Sequence, residues 1–223
     1  MFESKYSKVL TIILIIVIIV IVALLGFLAF DFIQKYYITK QASDFVEDYQ
    51  GDMTTGNESD TENQTDGNAT LDGLDKTPTA TGSNATKKKY KGYSVVGTMK
   101  IPKINLEYPV LEEVSTKALE TAVIALYPSG DNLNLPGNTV IIGHNYRNGL
   151  FFSNVKKLTN GDKIYVTDYR GKSITYEIYN KFEASSTDTS FYQRDTNGLA
   201  ELTLSTCTDA SNDQRIIVFA KQI

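Results

Sequence analysis

The sequence predicts a mainly β domain: a closed barrel of seven or eight strands with one or two short helices, carried behind an N-terminal transmembrane helix and a disordered tether. Three observations predict it. Val9–Phe30, VLTIILIIVIIVIVALLGFLAF, is apolar except for Thr11 and Gly26. Gln50–Thr86 holds no aromatic residue and is dominated by Gly, Asn, Thr, Asp and Ser. From Tyr90 onward, short apolar-alternating runs are split by Gly, Pro, Asn and Asp, the texture of many short strands rather than of βαβ units.

The first element follows a short N-terminus, residues 1–8. As a helix, residues 9–30 reach roughly 33 Å, enough to cross a bilayer's hydrocarbon core. A secretory signal would have a shorter apolar region of about 7–15 residues and a small-x-small cleavage site. A soluble core helix would keep a polar stripe. The run therefore reads as an uncleaved membrane anchor. Lys5 and Lys8 precede it and Lys35 and Lys40 follow it, so the positive-inside rule is balanced and does not orient it.

Residues 31–89 read as the tether. Its Gln50–Thr86 stretch, without an aromatic residue, cannot bury enough surface to offset chain entropy, so the tether is mostly disordered. Its four Asn-x-Ser/Thr triplets, at Asn57, Asn63, Asn68 and Asn84, follow from that composition. The acidity of the chain resides here: between Gln41 and Thr86 there are ten Asp/Glu against the single Lys76. Residues 90–223 carry fourteen acids and fourteen Lys/Arg. A domain this neutral has no basic footprint for nucleic acid.

Within residues 90–223, strands are expected near Val95–Ile101, Leu106–Leu111, Thr139–Gly143, Lys163–Asp168, Ser173–Phe182, Ala200–Thr206 and Arg215–Ala220. Tyr169–Lys172, YRGK, reads as a hairpin turn. Ser115–Leu126, STKALETAVIAL, has apolar residues at helical spacing after a Ser/Thr start and reads as a short helix.

Chemistry is constrained by a census. The chain has one histidine, His144, and one cysteine, Cys207. No internal disulfide can form, and one His with one Cys leaves too few strong ligands for zinc. A thiol is a poor nucleophile near neutral pH unless a base or a cation activates it. If Cys207 is a nucleophile, His144 is the imidazole available to it. His144 ends a Val/Ile strand in NTVIIGHNYRNG, Cys207 ends another in TLSTC, and Arg215 begins the strand after the next loop. Three reactive side chains at three strand ends can converge on one rim of a barrel. Against this, a lone Cys closing an apolar strand is usually a small buried hydrophobe, a His after Gly is often a turn residue, and an isolated Arg is usually a surface charge.

TLSTC resembles the TLxTC signature of sortases, the membrane-anchored cysteine transpeptidases of Gram-positive bacteria. Thr203, Leu204, Thr206 and Cys207 match its fixed positions. The GH pair at His144 and the arginine after a variable loop, Arg215, follow the family's pattern, as do GTMKIPKINLEYPV and ALYPSGDNLNLPGNTVIIGH upstream. The similarity runs from about Ser94 to Ile223. It implies a sortase-type barrel over 90–223, a cytoplasmic residue 1–8 segment and an extracellular catalytic domain. It also implies transpeptidation at an LPxTG-like C-terminal sorting signal. Cys207 would be the nucleophile, His144 the proton shuttle and Arg215 the oxyanion or substrate clamp, with backbone support near Thr206. The loop Ser185–Gly198 would line the Leu-Pro pocket, with Ser185, Ser186, Thr187, Phe191 and Tyr192 as candidate contacts.

The partners so implied are surface proteins bearing the signal, a cell-wall precursor amine as acceptor, and the membrane; no nucleic acid is among them. No cofactor is expected. Calcium, which some class A members bind, would need acids from two loops, and Asp131, Asp188 and Asp195 are those on hand. The Ser185–Gly198 loop is too short for the helix of class B enzymes, and the tether lacks the Asp-Pro-aromatic lid of class C, which leaves a class D-like or general anchoring type. An L,D-transpeptidase-like enzyme would set its cysteine in a Ser/His-Gly-Cys context, absent here. An inert membrane-tethered binding module would have an unreactive thiol.

Overall fold

The computed structural model describes residues 3–55 and 86–223; the part of the expected tether at residues 56–85 lies outside them. Two compact units divide the chain, the first ending at Gln41 and the second spanning Ala42–Ile223.

Helix α1 (Glu3–Thr55) forms the first unit and continues into the second. From Val9 to Phe30 every Val, Leu, Ile and Phe is exposed. The helix is long and apolar enough to cross a membrane, with a mean hydropathy of 3.6 in its most apolar stretch. It does not stop at residue 30, where the sequence reading places the start of the tether. No Pro or Gly interrupts residues 31–50, and Ala42, Val46 and Tyr49 recur at i, i+4 and i+7 on one face.

In the second unit that face is buried, with Ala42, Val46 and Tyr49 each at most 1% exposed. Phe45 meets the Tyr90 ring edge-on at 5.0 Å. Ser43 Oγ donates to Glu107 Oε2 at 2.6 Å, and Asp52 pairs with Lys88. The last turns of α1 thus belong to the domain's core.

The domain is a barrel. Its strands are β1 (Lys89–Tyr90), β2 (Tyr93–Ile101), β3 (Leu106–Leu111), β4 (Val123–Tyr127), β5 (Gly137–Ile142), β6 (Lys163–Asp168), β7 (Ser173–Ser185), β8 (Ala200–Cys207) and β9 (Gln214–Gln222). They run in the order β1-β2-β3-β4-β5-β8-β9-β7-β6, and β6 pairs back onto β2, with Met99 opposite Val166. The ring therefore has eight strands, with β1 attached outside it, in agreement with the expected closed barrel. Closure leaves the ring no free edge. Met99, Val110, Ile141, Leu204 and Val218, each fully buried and on one face by the strand register, fill its interior.

The pairs β3–β4 and β5–β8 are parallel and the rest antiparallel. The parallel β5–β8 pair matters for function, because it brings the C-terminal ends of two strands to the same rim.

The helix expected over Ser115–Leu126 is real only as α2 (Thr116–Leu119). Ser115 Oγ caps it, accepting from the Ala118 N–H at 3.2 Å. Val123–Tyr127 is instead strand β4, inserted between β3 and β5. Val123, Ile124 and Ala125 are all at most 1% exposed. Successive burial on both faces suits β-branched residues in a central strand and overrides the helical period. The YRGK hairpin forms as expected, with Gly171 at φ +83°. Buried Asp168 accepts from the N–H groups of Arg170 and Lys172 and pairs with the Arg170 guanidinium at 2.7 Å.

Candidate active site

Cys207 is the last residue of β8, and Arg215 lies directly opposite it on antiparallel β9. Ala184 of β7 faces Arg215 from the other side. The β5–β8 register pairs Ile142 with Ser205, so two residues on, His144 lies beside Cys207. Three contacts carry that register past the strand ends. Gly143 N–H donates to Ser205 O at 3.3 Å, Thr206 Oγ1 donates to Gly143 O at 2.8 Å, and Asn145 Nδ2 donates to Cys207 O at 2.9 Å. The order across the rim is His144, Cys207, Arg215, Ala184.

Gly143 lets the chain reach this position. A Cβ there would sit 2.7 Å from the Phe152 ring and 3.1 Å from Val123. Only hydrogen fits between the end of β5 and the buried phenyl ring beneath it.

His144 is half-buried, with its ring 4.7 Å from that of Tyr146. Burial pushes its pKa below the ordinary 6.5, and the charge of Glu120 opposes that shift. Neutral imidazole, a base, is therefore the form present near neutral pH. Cys207 is a free, half-buried thiol. Arg215 is half-buried too; its Nη1 donates to the Asn212 and Gln214 carbonyls. Among the described residues no protein acceptor engages its Nε or Nη2, which leaves two donors for a ligand at the rim.

Thr206 is 2% exposed. Its hydroxyl ties β8 to β5 and does not line the rim, so any support it gives an oxyanion is through the backbone. The β7–β8 loop, residues 186–199, contains no α-helix. Ser185 closes β7 opposite Gln214, and Ser186 N–H donates to Asp213 O at 2.8 Å. Ser185 Oγ and Thr187 Oγ1 bond each other at 3.0 Å. Tyr192 packs on Tyr127 with ring centroids 5.4 Å apart. Burial raises its phenol pKa while the charge of Arg215 lowers it, which places Tyr192 within Arg215's field. Phe191 enters a small apolar cluster with Ala184 and Ile217, against which Tyr192 also packs, and is 7% exposed. The structure thus groups His144, Cys207, Arg215 and Tyr192, sets Ser185, Ser186 and Thr187 at the outer edge, and buries Phe191 as a support.

Two loops join around this rim through residues that sequence reasoning missed. Asn145 Nδ2 also donates to Asp209 Oδ1 at 2.8 Å. Arg147, at φ +57°, donates to the Asp209 and Thr208 carbonyls at 2.8 and 3.3 Å. Lys156 pairs with Asp209 and, with Asn145, holds that carboxyl below its usual range. The signal was there: polar residues crowd both loops, in HNYRNG and TDASND, but which partner each takes depends on the strand order.

Among the described residues no three His, Cys, Asp or Glu side chains gather as a metal site. Asp131 pairs with Lys87 at 2.8 Å, while Asp188 and Asp195 accept from the N–H groups of Ser190 and Asn197 in their own loop. A cavity of about 790 Å³, lined by Met53, Tyr165, Gly171 and Ile174 among others, lies at the opposite end of β7 from Ala184.

A family model described as Sortase domain matches residues 99–223, more than half of the chain. Among curated proteins, Sortase A of Bacillus anthracis is 28% identical over 148 residues, covering 66% of this chain and 67% of that protein. Among solved structures, Sortase A from Corynebacterium diphtheriae superposes with a TM-score of 0.53 at 29% identity, over 59% of this chain and 61% of that one. A Clostridium perfringens Sortase D5 transpeptidase superposes with a TM-score of 0.50 at 30% identity, over 58% of this chain and 79% of that one.

Proposed function

The chain belongs to the sortase family, and on that premise we propose that it is a cysteine transpeptidase acting on an LPxTG-like sorting signal. The observation that carries this reading is the rim order itself: Cys207 stands between His144, at the end of a parallel neighbour, and Arg215, its antiparallel partner.

Each step has a residue suited to it. Neutral His144 takes the thiol proton of Cys207, and the thiolate attacks the threonine carbonyl of the signal. The oxyanion of the tetrahedral intermediate faces the guanidinium of Arg215, which stays cationic and offers forked donors. Collapse breaks the Thr–Gly bond. The imidazolium of His144 protonates the departing glycine amine, leaving a thioester on Cys207. An incoming amine then attacks the thioester, His144 accepts its proton, and the released thiol is restored. Water would divert the same thioester to hydrolysis.

The groove for the signal runs along Ala184–Ser185 and Tyr192. The described β7–β8 loop, short and without a helix, together with the likeness to the Sortase D5 transpeptidase, supports a class D-like or general anchoring role. The long apolar stretch of α1 supports a membrane location, and membership of the family supports the exported side, where sorting signals and cell-wall precursor amines are found.

The test uses the full chain in detergent micelles with a panel of LPxTG-like peptides and a glycine-ester amine. Cleavage after threonine and an amine-dependent ligation product are expected. Cleavage at another bond, or a product yield indifferent to the amine, would overturn the proposal.

A further inference from the structure

Asn138 sits in β5, six residues before His144, and is 6% exposed. Its amide is fully engaged. Nδ2 donates to the main-chain carbonyls of Phe191 at 3.2 Å and Tyr192 at 3.0 Å. Oδ1 accepts from Arg194 Nη2 and from Thr203 Oγ1, both at 2.8 Å. A strand side chain thus holds two consecutive carbonyls of the β7–β8 loop.

Arg194, in that same loop, is held from several sides. It pairs with Glu201 at 2.6 Å, the two side chains being 14% and 9% exposed. Its guanidinium lies 3.9 Å from the Phe219 ring centroid. Tyr179 bridges the pair, donating to Glu201 Oε2 at 2.8 Å while its hydroxyl also meets Arg194 Nη1. A buried ion pair of this kind adds little net stability over an apolar pair of similar volume. Its geometric effect is to fix the orientation of the Asn138 amide, and so the loop backbone at Phe191–Tyr192.

That backbone matters because Tyr192 is where the loop meets the rim. Its ring packs on Tyr127 and lies in the field of Arg215. The rest of the loop is mostly exposed polar residues bonded to their own neighbours, as Asp188 is to Ser190 and Asp195 to Asn197. The Tyr192 ring rests on Tyr127 and Phe191, and the clamp fixes the backbone that carries it.

We infer that Asn138 and Arg194 are positioning residues of the peptide groove: Arg194, fixed by Glu201, orients the Asn138 amide, which pins the Phe191–Tyr192 backbone and thereby sets affinity for the sorting-signal peptide. Neither residue touches the reacting atoms. The inference rests on the transpeptidase reading above.

Full chain in micelles, as wild type, Arg194→Lys, Asn138→Leu and the double variant, is assayed with one fluorogenic LPxTG-type peptide. Hydrogen exchange is followed across residues 188–198 in parallel. Each single variant should raise KM about tenfold or more with kcat within threefold, and should speed exchange in the loop about tenfold. The double variant should be no worse than Asn138→Leu alone, because Arg194 acts through Asn138. An unchanged KM, a fall in kcat at constant KM, or additive losses would each overturn the inference. Should Asn138→Leu not fold, Arg194→Lys is judged on KM and exchange by the same criteria. Should the wild type not turn the peptide over, the transpeptidase reading fails, while unchanged exchange in the variants would still count against the clamp itself.

Discussion

Asn145 donates to the main-chain carbonyl of Cys207 at 2.9 Å. The residue next to the only imidazole therefore grips the backbone of the only thiol. The same amide reaches Asp209, and its own carbonyl oxygen accepts from the Arg147 N–H at 2.9 Å. The loops after His144 and after Cys207 are thereby tied together.

Replacing Asn145 should uncouple them. Asn145→Leu leaves the Cys207 carbonyl without this donor, a cost of about 1–3 kcal/mol for a buried group, and leaves Asp209 to Lys156 alone. Single-turnover acylation should fall roughly tenfold or more with it, by the equivalence of about 1.4 kcal/mol to a tenfold change. Asn145→Asp, which sets a second carboxylate against Asp209, should be worse. Rates within twofold of wild type for both variants would mean that the bridge does not position the nucleophile.

Arg215 discriminates charge from geometry. Arg215→Lys keeps the cation but loses the fork, so acylation should drop on the order of 10²-fold. A lysine variant with wild-type rates would remove Arg215 from the site.

The single histidine makes its titration directly observable by NMR. Burial lowers the pKa of His144, so its ring should titrate below 6.5. Glu120→Gln, by removing the opposing charge, should move it lower still. The linkage has a definite sign. Below 6.5 the unfolded chain takes up a proton that the folded ring resists, so stability falls as pH drops from 6.5 to the folded pKa and then levels off. The rising limb of the acylation rate should follow the same folded pKa. A ring titrating above 6.5 would contradict this and favour a resting thiolate–imidazolium pair.

The end of α1 should behave as core. Reading residues 31–89 as a tether implies that a fragment of residues 87–223 folds alone. With Ala42, Val46 and Tyr49 buried, a chain beginning at Ala42 should instead be more stable than one beginning at Lys87 by about 2–4 kcal/mol, since each buried apolar side chain contributes about 1.5–3 kcal/mol before the entropy of ordering. Denaturant midpoints of the two fragments decide it; equal midpoints would restore the tether reading for residues 42–55.

The barrel was legible because each strand other than β4 and the two-residue β1 stands out as a short alternating or continuous β-branched run bounded by turn residues. β4 was not, because Ala-Val-Ile-Ala-Leu satisfies a helical and a buried-strand pattern equally until its neighbours β3 and β5 are placed. His144 and Cys207 could be found by census, since one His and one Cys left no alternatives, whereas Arg215, one of four arginines, was marked out by its place after the cysteine in the family pattern. Asn138, Asn145, Arg194 and Asp209 could not. Each is an ordinary polar residue whose partner lies far along the chain, and only the parallel β5–β8 pairing brings them together. Phe191 could not be told from Tyr192 for a related reason: how deeply an aromatic residue of a loop is buried depends on a register that sequence does not reveal.

The central claim is that Cys207 forms a thioester with the sorting signal at this rim. Intact-mass measurement of the full chain, acid-quenched within one turnover after mixing with an LPxTG-like peptide, tests it most directly. An added mass equal to the peptide fragment ending in threonine, located on Cys207, released by hydroxylamine and absent in Cys207→Ala, is expected. A chain that cleaves the peptide without that adduct, or a Cys207→Ala variant that still cleaves it, would contradict the account.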